Sequence, residues 1–196
     1  MCWIMYSADS ASVNKTEIGT RMISELTIRP LEIEDFNGFL SIQGDALKSA
    51  PEVFGSDYDW FEGLSVLSKE QRFEKYMNFP YQYLLGAVNS ENNILGMIGY
   101  SGHEQAKLGH KGRLWGLFVV ESYRGHGVAT KLVSSIIETA RDLLSVEQIQ
   151  LTVSTKNQAT YSLYLRLGFS VYGTELRAMK IDDSYVDEYQ MVKFLV

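Results

Sequence analysis

Apolar side chains at Val128, Leu132, Val133, Ile136, Ile137, Ala140, Leu143 and Leu144 recur in steps of one, three and four, which lays a single stripe along a helix. Neither Gly nor Pro interrupts residues 128–144. Just upstream, the apolar run Leu114, Trp115, Gly116, Leu117, Phe118, Val119 and Val120 reads as a buried strand, and Arg124-Gly125-His126-Gly127 lies between the two. Strand, glycine loop and helix in that order suit a bulky anion. Glycine lets the backbone approach closely, while the free amides of the first turn and the helix dipole present positive charge. A pyrophosphate is the natural guest.

The remaining pattern supplies strands and helices on both sides of this unit. Residues 26–31 alternate as a strand ending near Pro30, and Glu32, Glu34 and Asp35 open a helix through Phe36, Phe39, Leu40 and Leu47. Residues 49–56 are rich in breakers and read as loop. An aromatic-acidic patch follows, Tyr58, Trp60 and Phe61 among Asp57, Asp59 and Glu62, whose rings and carboxylates could cradle an ammonium group or simply pack a helix on the core. After a helical stretch at 68–77, residues 83–88 and 94–100 form a hairpin about the polar turn 89–93. A polar break at 105–112 leads to the strand from Leu114, so three neighbouring antiparallel strands precede the glycine loop. Residues 148–153 alternate as a strand, a helix at 159–167 stops at Gly168, and Phe169 begins another strand. Residues 178–181 and 188–195 read as an outer hairpin around Asp182-Asp183-Ser184.

Composition narrows the function classes. With 45% apolar residues in 196, the chain can bury one sizeable core. A net charge of -6 argues against nucleic acid as the main partner, because phosphate backbones need a basic face, and it is compatible with a cationic amine substrate. Cys2 is the one cysteine, so no internal disulfide or cysteine-based zinc cluster can form, and a cytoplasmic location is expected. No apolar stretch reaches the roughly 18–20 residues of a membrane span, so no membrane partner is expected. Three scattered histidines and no clustered ligand spacing predict no metal. Residues 1–25 have no period and no signal-peptide pattern, and Met22 is an alternative start; they read as a loosely held N-terminal extension.

Two strings carry a resemblance. Arg124-x-x-Gly127-x-Ala129 resembles the Q/R-x-x-G-x-G/A motif of the GNAT superfamily of acetyl-coenzyme A-dependent N-acetyltransferases. Asn157-x-x-Thr160-x-x-Leu163-Tyr164-x-x-x-Gly168-Phe169 resembles the family's second signature, N-x-x-A-x-x-L-Y-x-x-x-G-F, at nearly every position, and Thr27-Ile28-Arg29-Pro30 has the look of the family's first strand. The resemblance covers about residues 26–195. It implies an α/β (α+β) GNAT fold: a central, mostly antiparallel mixed β-sheet flanked by helices, in the order strand, two helices, three strands, helix, strand, helix, two strands. Residues 26–196 are then a single N-acetyltransferase domain behind the 1–25 extension.

The same resemblance implies roles. Acetyl-coenzyme A is the expected co-substrate, with the backbone of Leu117, Phe118 and Val119 pairing with its pantetheine arm and polarising the thioester. The amides of Arg124, Gly125, His126, Gly127, Val128, Ala129 and Thr130 should bind its pyrophosphate, with the Thr130 hydroxyl as a further donor. Asn157 should contact the coenzyme, and its alternative role as a helix N-cap is compatible with that. Tyr164 matches the family's general acid, since a phenol can protonate the departing thiolate. Many family members carry a carboxylate base on the strand before the glycine loop, and here that strand offers none. Glu104, with His103, is the substitute candidate; a water chain or a partly neutral amine needs no base. His110, among lysines, is expected in solvent.

The expected activity is transfer of an acetyl group to a primary amine of a small-molecule or peptide acceptor by direct attack on the thioester. The alternative is a non-catalytic acyl-coenzyme A sensor, which would have no need of Tyr164. A dinucleotide oxidoreductase built on Gly125-x-Gly127 is excluded because Thr130 stands where the third glycine of G-x-G-x-x-G belongs, and because antiparallel strands precede the helix. Residues 51–80 are expected to shape the acceptor pocket, and pairing of two chains through outer strands is a possible homodimer.

Overall fold

The computed structural model describes residues 26–51 and 54–195; the extension at 1–25, with Cys2 and Met22, lies outside the described residues. The strands are β1 (Thr27–Pro30), β2 (Gln82–Val88), β3 (Ile94–Ser101), β4 (Lys111–Val119), β5 (Gln148–Ser154), β6 (Ser170–Ile181) and β7 (Ser184–Phe194). The helices are α1 (Phe36–Ser49), α2 (Tyr58–Glu62), α3 (Val66–Lys75), α4 (Val128–Asp142) and α5 (Gln158–Arg166). All seven strands form one sheet in the order β1-β2-β3-β4-β5-β7-β6. Every pairing is antiparallel except β4 with β5, which is parallel. The mixed α/β class and the mostly antiparallel sheet flanked by helices are as expected from the sequence.

Opposite faces of the β2–β3 hairpin explain its unbroken apolar run. Tyr83, Leu85, Ala87, Ile98 and Tyr100 pack with Val128, Leu132, Val133 and Ile136 of α4. The alternate positions Leu84, Val88 and Met97 pack with Phe39, Ile42 and Ala46 of α1 and Phe73 of α3. A strand buried on both faces loses the apolar-polar alternation of a half-exposed one. Leu132, Val133 and Ile136 are fully buried, each contributing about 1.5–3 kcal/mol of hydrophobic burial, which fixes α4 under the sheet.

Several boundaries differ from the sequence reading. The stretch after β1 begins as a 3-10 turn, Ile33–Asp35, before α1, with a reciprocal capping box between Glu32 and Asp35. The aromatic-acidic patch forms α2, a separate short helix, so three helices rather than two precede β2. Helix α4 ends at Asp142: Ser145 turns the chain at a φ of 53°, the Val146 amide reaches the Ala140 carbonyl (2.9 Å), and Leu143 is left exposed. Strand β4 starts at Lys111, inside the expected polar break. The outer hairpin is far longer than expected. Irregularities between Val171 and Gly173 and between Glu175 and Met179, with Arg177 at a φ of 56°, break the period-two signal along β6.

Candidate active site

Strands β4 and β5 run side by side for only three pairs, Lys111 with Gln148, Gly112 with Ile149, and Arg113 with Gln150. Beyond Arg113 they separate, and the remaining halves of both strands border an open cleft. Their outer partners hold them apart, since β4 stays paired with β3 through Val119 and β5 with β7 through Ser154. The parting exposes backbone along two strands inside the fold.

On β4 the cleft begins at a bulge. Gly116 and Leu117 together stand opposite Ile98, between the pairs Gly99–Trp115 and Met97–Phe118. Gly116 has a φ of +65°, and a Cβ there would meet nothing within 4 Å, so backbone conformation alone selects glycine. A bulge leaves an extra residue out of the ladder, and both Gly116 and Leu117 border the cleft at this point. Alongside, Gly99 leaves the space that the Trp115 ring fills; an added Cβ would overlap it. The Trp115 indole N–H donates to the Ser101 hydroxyl (2.8 Å) and the ring packs on Tyr76, 4.7 Å between centroids.

The cleft divides into two cavities. The first, about 810 Å³, lies between the end of β4, the glycine loop and α5. Gly125 and Gly127 both adopt positive φ, 77° and 86°, and Gly127 is the N-cap of α4. No side chain caps that helix, and its first internal bond is from the Lys131 amide to the Gly127 carbonyl (3.0 Å). The amides of Val128, Ala129 and Thr130 precede that bond and face the cavity end of the dipole. Cations Arg124, Lys156 and Arg166 line this cavity with no carboxylate among the described residues. The chemistry suits a polyanion.

Arg124 has a second task. Its amide donates to the Glu121 carbonyl (3.0 Å), its Nε donates to the Val119 carbonyl (2.9 Å), and its guanidinium lies over the Phe118 ring. It clamps the end of β4 to the glycine loop, so its amide is already engaged and only the guanidinium remains for a ligand. His126 lines neither cavity, and its Nδ1 is buried without a hydrogen-bond partner.

The second cavity, about 420 Å³, lies between α1, α2 and α3 on one side and β4, β5 and β7 on the other. Both cavities share Phe54, Leu117, Asn157 and Thr160, so they are two arms of one cleft that meet at the β4 bulge. Asn157 caps α5, its side-chain oxygen accepting from the Thr160 amide (3.1 Å), which leaves its amide nitrogen for a ligand. Tyr164 lines the second cavity; it is 4% exposed and packs edge-on to Phe169. Burial pushes its phenol well above the ordinary tyrosine value, so it stays protonated at neutral pH.

Glu104 and His103 are exposed in the connection between β3 and β4 and line neither cavity. His110, expected in solvent, is half-buried, because its carbonyl accepts the Glu147 and Gln148 amides where β5 begins. The carboxylate that does line the second cavity is Glu188 on β7, opposite Ser154. Sequence reasoning missed Glu188, Lys156 and Arg166. Helical spacing could have found Arg166, which falls with Ala159 and Leu163 on one face of α5; Glu188 reaches the site only through the β5–β7 register. Among the described residues no helix is long and apolar enough to cross a membrane, and no cluster of three metal-ligating side chains is found.

Comparison with known proteins gives four concordant findings. A sequence model described as the acetyltransferase (GNAT) family matches residues 50–169. An L-amino acid N-acetyltransferase, AaaT of Escherichia coli (strain K12), is 24% identical over 179 residues, covering 87% of this chain and 99% of the relative. The crystal structure of an acetyltransferase of GNAT family from Streptococcus pneumoniae superposes with a TM-score of 0.75 at 26% identity, over 87% of this chain and 99% of the other. A spermidine N-acetyltransferase from Vibrio cholerae, solved in complex with CoA and spermine, shares the fold at a TM-score of 0.73 and 18% identity, over 88% and 96% of the two chains.

Proposed function

The chain belongs to the acetyltransferase (GNAT) family and is an acyltransferase, and from that premise we propose that it moves the acetyl group of acetyl-coenzyme A to the primary amine of a small molecule by direct attack on the thioester. The observation that carries this reading is the single cleft whose cationic, amide-rich arm meets its tyrosine-bearing arm at the β4 bulge. Residues 26–196 act in it as one domain.

The residues present fit the coenzyme. Amides of Gly125 and of Gly127 to Thr130, with the side chains of Arg124, Lys156 and Arg166, would hold its phosphates; the coenzyme supplies the activated acetyl group. The Leu117 backbone, at the bulge where the two arms meet, would donate to the thioester oxygen as negative charge develops there. Asn157 fixes the arm at the junction. As the amine's nitrogen bonds to the acetyl carbon, the carbon–sulfur bond breaks, and the leaving sulfur takes the proton of Tyr164, which solvent restores. The amine's surplus proton leaves to Glu188 or to water. Glu188 replaces Glu104 in this scheme because it lines the cavity and Glu104 does not.

Titration calorimetry with acetyl-coenzyme A, followed by a free-thiol assay against a panel of amines, tests the reading. Binding with amine-dependent thiol release is the expected result. Binding without release by any amine would replace the enzyme with an acyl-coenzyme A sensor.

A further inference from the structure

The acceptor arm carries a charge pattern opposite to that of the chain. The protein's net charge is -6, yet the second cavity is lined by Lys69, Arg72 and Arg113 against one carboxylate, Glu188. Local charge of this sign selects an anionic group on the guest.

The aromatic-acidic patch does not form an ammonium cage. One face of each ring already holds one of the chain's own cations: Lys48 over Tyr58 (4.2 Å), Lys69 over Phe61 (4.8 Å) and Arg72 over Trp60 (4.6 Å). The patch's carboxylates are turned elsewhere. Asp57 caps α2 by accepting the Trp60 amide (2.7 Å), Glu62 faces Lys69 at 3.5 Å, and Asp57, Asp59 and Glu62 all lie outside the cavity lining.

The three cations differ in what they have left to give. Lys69 is tied to both the carboxylate and the carbonyl of Glu62. Arg72 lies over the Trp60 ring and makes no ion pair among the described residues, which leaves its N–H donors for a carboxylate, a group that a guanidinium can grip with two bonds. Arg113 stands at the vertex where β4 and β5 part. Among the described residues neither arginine has a carboxylate within 4 Å.

We propose that the acceptor is an amine that also carries a carboxylate, an amino acid of free α-carboxyl type, whose carboxylate is held by Arg72 and Arg113 while its amino group lies toward Glu188 and the thioester. A cavity of about 420 Å³ suits a guest of that size. A polyamine would meet three cations and one carboxylate. This specificity rests on the acetyltransferase reading above.

Matched acceptors test it: methionine, 3-(methylthio)propylamine, which lacks only the carboxylate, and spermidine, each compared by kcat/KM for thiol release. Methionine should exceed its decarboxylated analogue by roughly ten- to hundredfold, the range for hydrogen bonds to a charged group. Arg113→Gln and Arg72→Gln, both exposed positions, should raise KM for methionine and collapse that ratio toward one, with Arg113→Lys intermediate. Equal or better turnover of 3-(methylthio)propylamine or spermidine overturns the proposal alone. Absence of thiol release with every amine of a broad panel overturns the acetyltransferase reading and the proposal with it.

Discussion

Arg113 faces Gln150 in the last pair that joins β4 to β5, and every functional group proposed above lies beyond it or around the opening it begins. A parallel β4–β5 pair that stayed zipped would leave no opening between the two strands for a ligand. The parting of these strands converts a structural seam into a site.

The bulge that follows is tested by two substitutions at Gly116. With φ at +65° and open space at the missing Cβ, Gly116→Val should strain the backbone by about 1–2 kcal/mol or slip the register. Asn tolerates left-handed backbone better than a β-branched residue. Calorimetry should show acetyl-coenzyme A affinity falling at least about tenfold, on the order of 1.4 kcal/mol, in the valine variant and largely kept in Gly116→Asn. Equal affinity in both variants would detach the bulge from coenzyme binding.

Gly127 tests the other arm. At a φ of 86° it begins α4, and a larger side chain both strains the cap and crowds the amides of the first turn. Gly127→Val should weaken coenzyme binding by more than tenfold, or about 1.4 kcal/mol, and lower Tm. Wild-type affinity in a folded variant would remove the phosphate assignment from this loop.

Tyr164→Phe removes one hydroxyl from a buried ring that keeps its packing on Phe169. Turnover should fall by roughly 10²–10⁴, the range for a positioned general acid, while coenzyme affinity changes little. Because burial raises the phenol's pKa, its ionisation should not produce a loss of activity just above neutral pH. Unchanged single-turnover rates in the variant would assign proton delivery to another group.

Asp35 ties the first turn of the helical layer to the sheet edge. It accepts a forked pair of bonds from Arg29 (2.6 and 2.9 Å) and the Glu32 amide (2.8 Å), and the Arg29 hydrogen bond, with that amide, holds its carboxyl below the ordinary aspartate value against a smaller opposing effect of burial. A depressed folded pKa adds stability that is present above the unfolded value, near 4, and is lost as pH falls through the folded one. Asp35→Asn should therefore lower Tm by about 2–4 °C at neutral pH, and the gap should close below about pH 4. The pair is partly exposed, which limits it to about 1 kcal/mol. A gap that persists into acid would show that the loss is steric.

The sequence by itself determined the elements and the family. The 3.6-residue stripe of α4, the glycine loop and the Asn157-to-Phe169 string are local, because helix periodicity, capping and left-handed turns are properties of neighbouring residues. Hence Gly127, Asn157 and Tyr164 could be named from the chain alone. Only the tertiary structure decided where β4 and β5 part, that Gly116 bulges, and that Glu188 rather than Glu104 borders the cleft. Those depend on register between strands far apart in sequence, which no run of neighbouring residues encodes. The acceptor arm shows the same division. Aromatic rings beside carboxylates suggested an ammonium site, but the cations over those rings come from α1 and α3, and folding brings Arg72, Arg113 and Glu188 into the lining of one cavity.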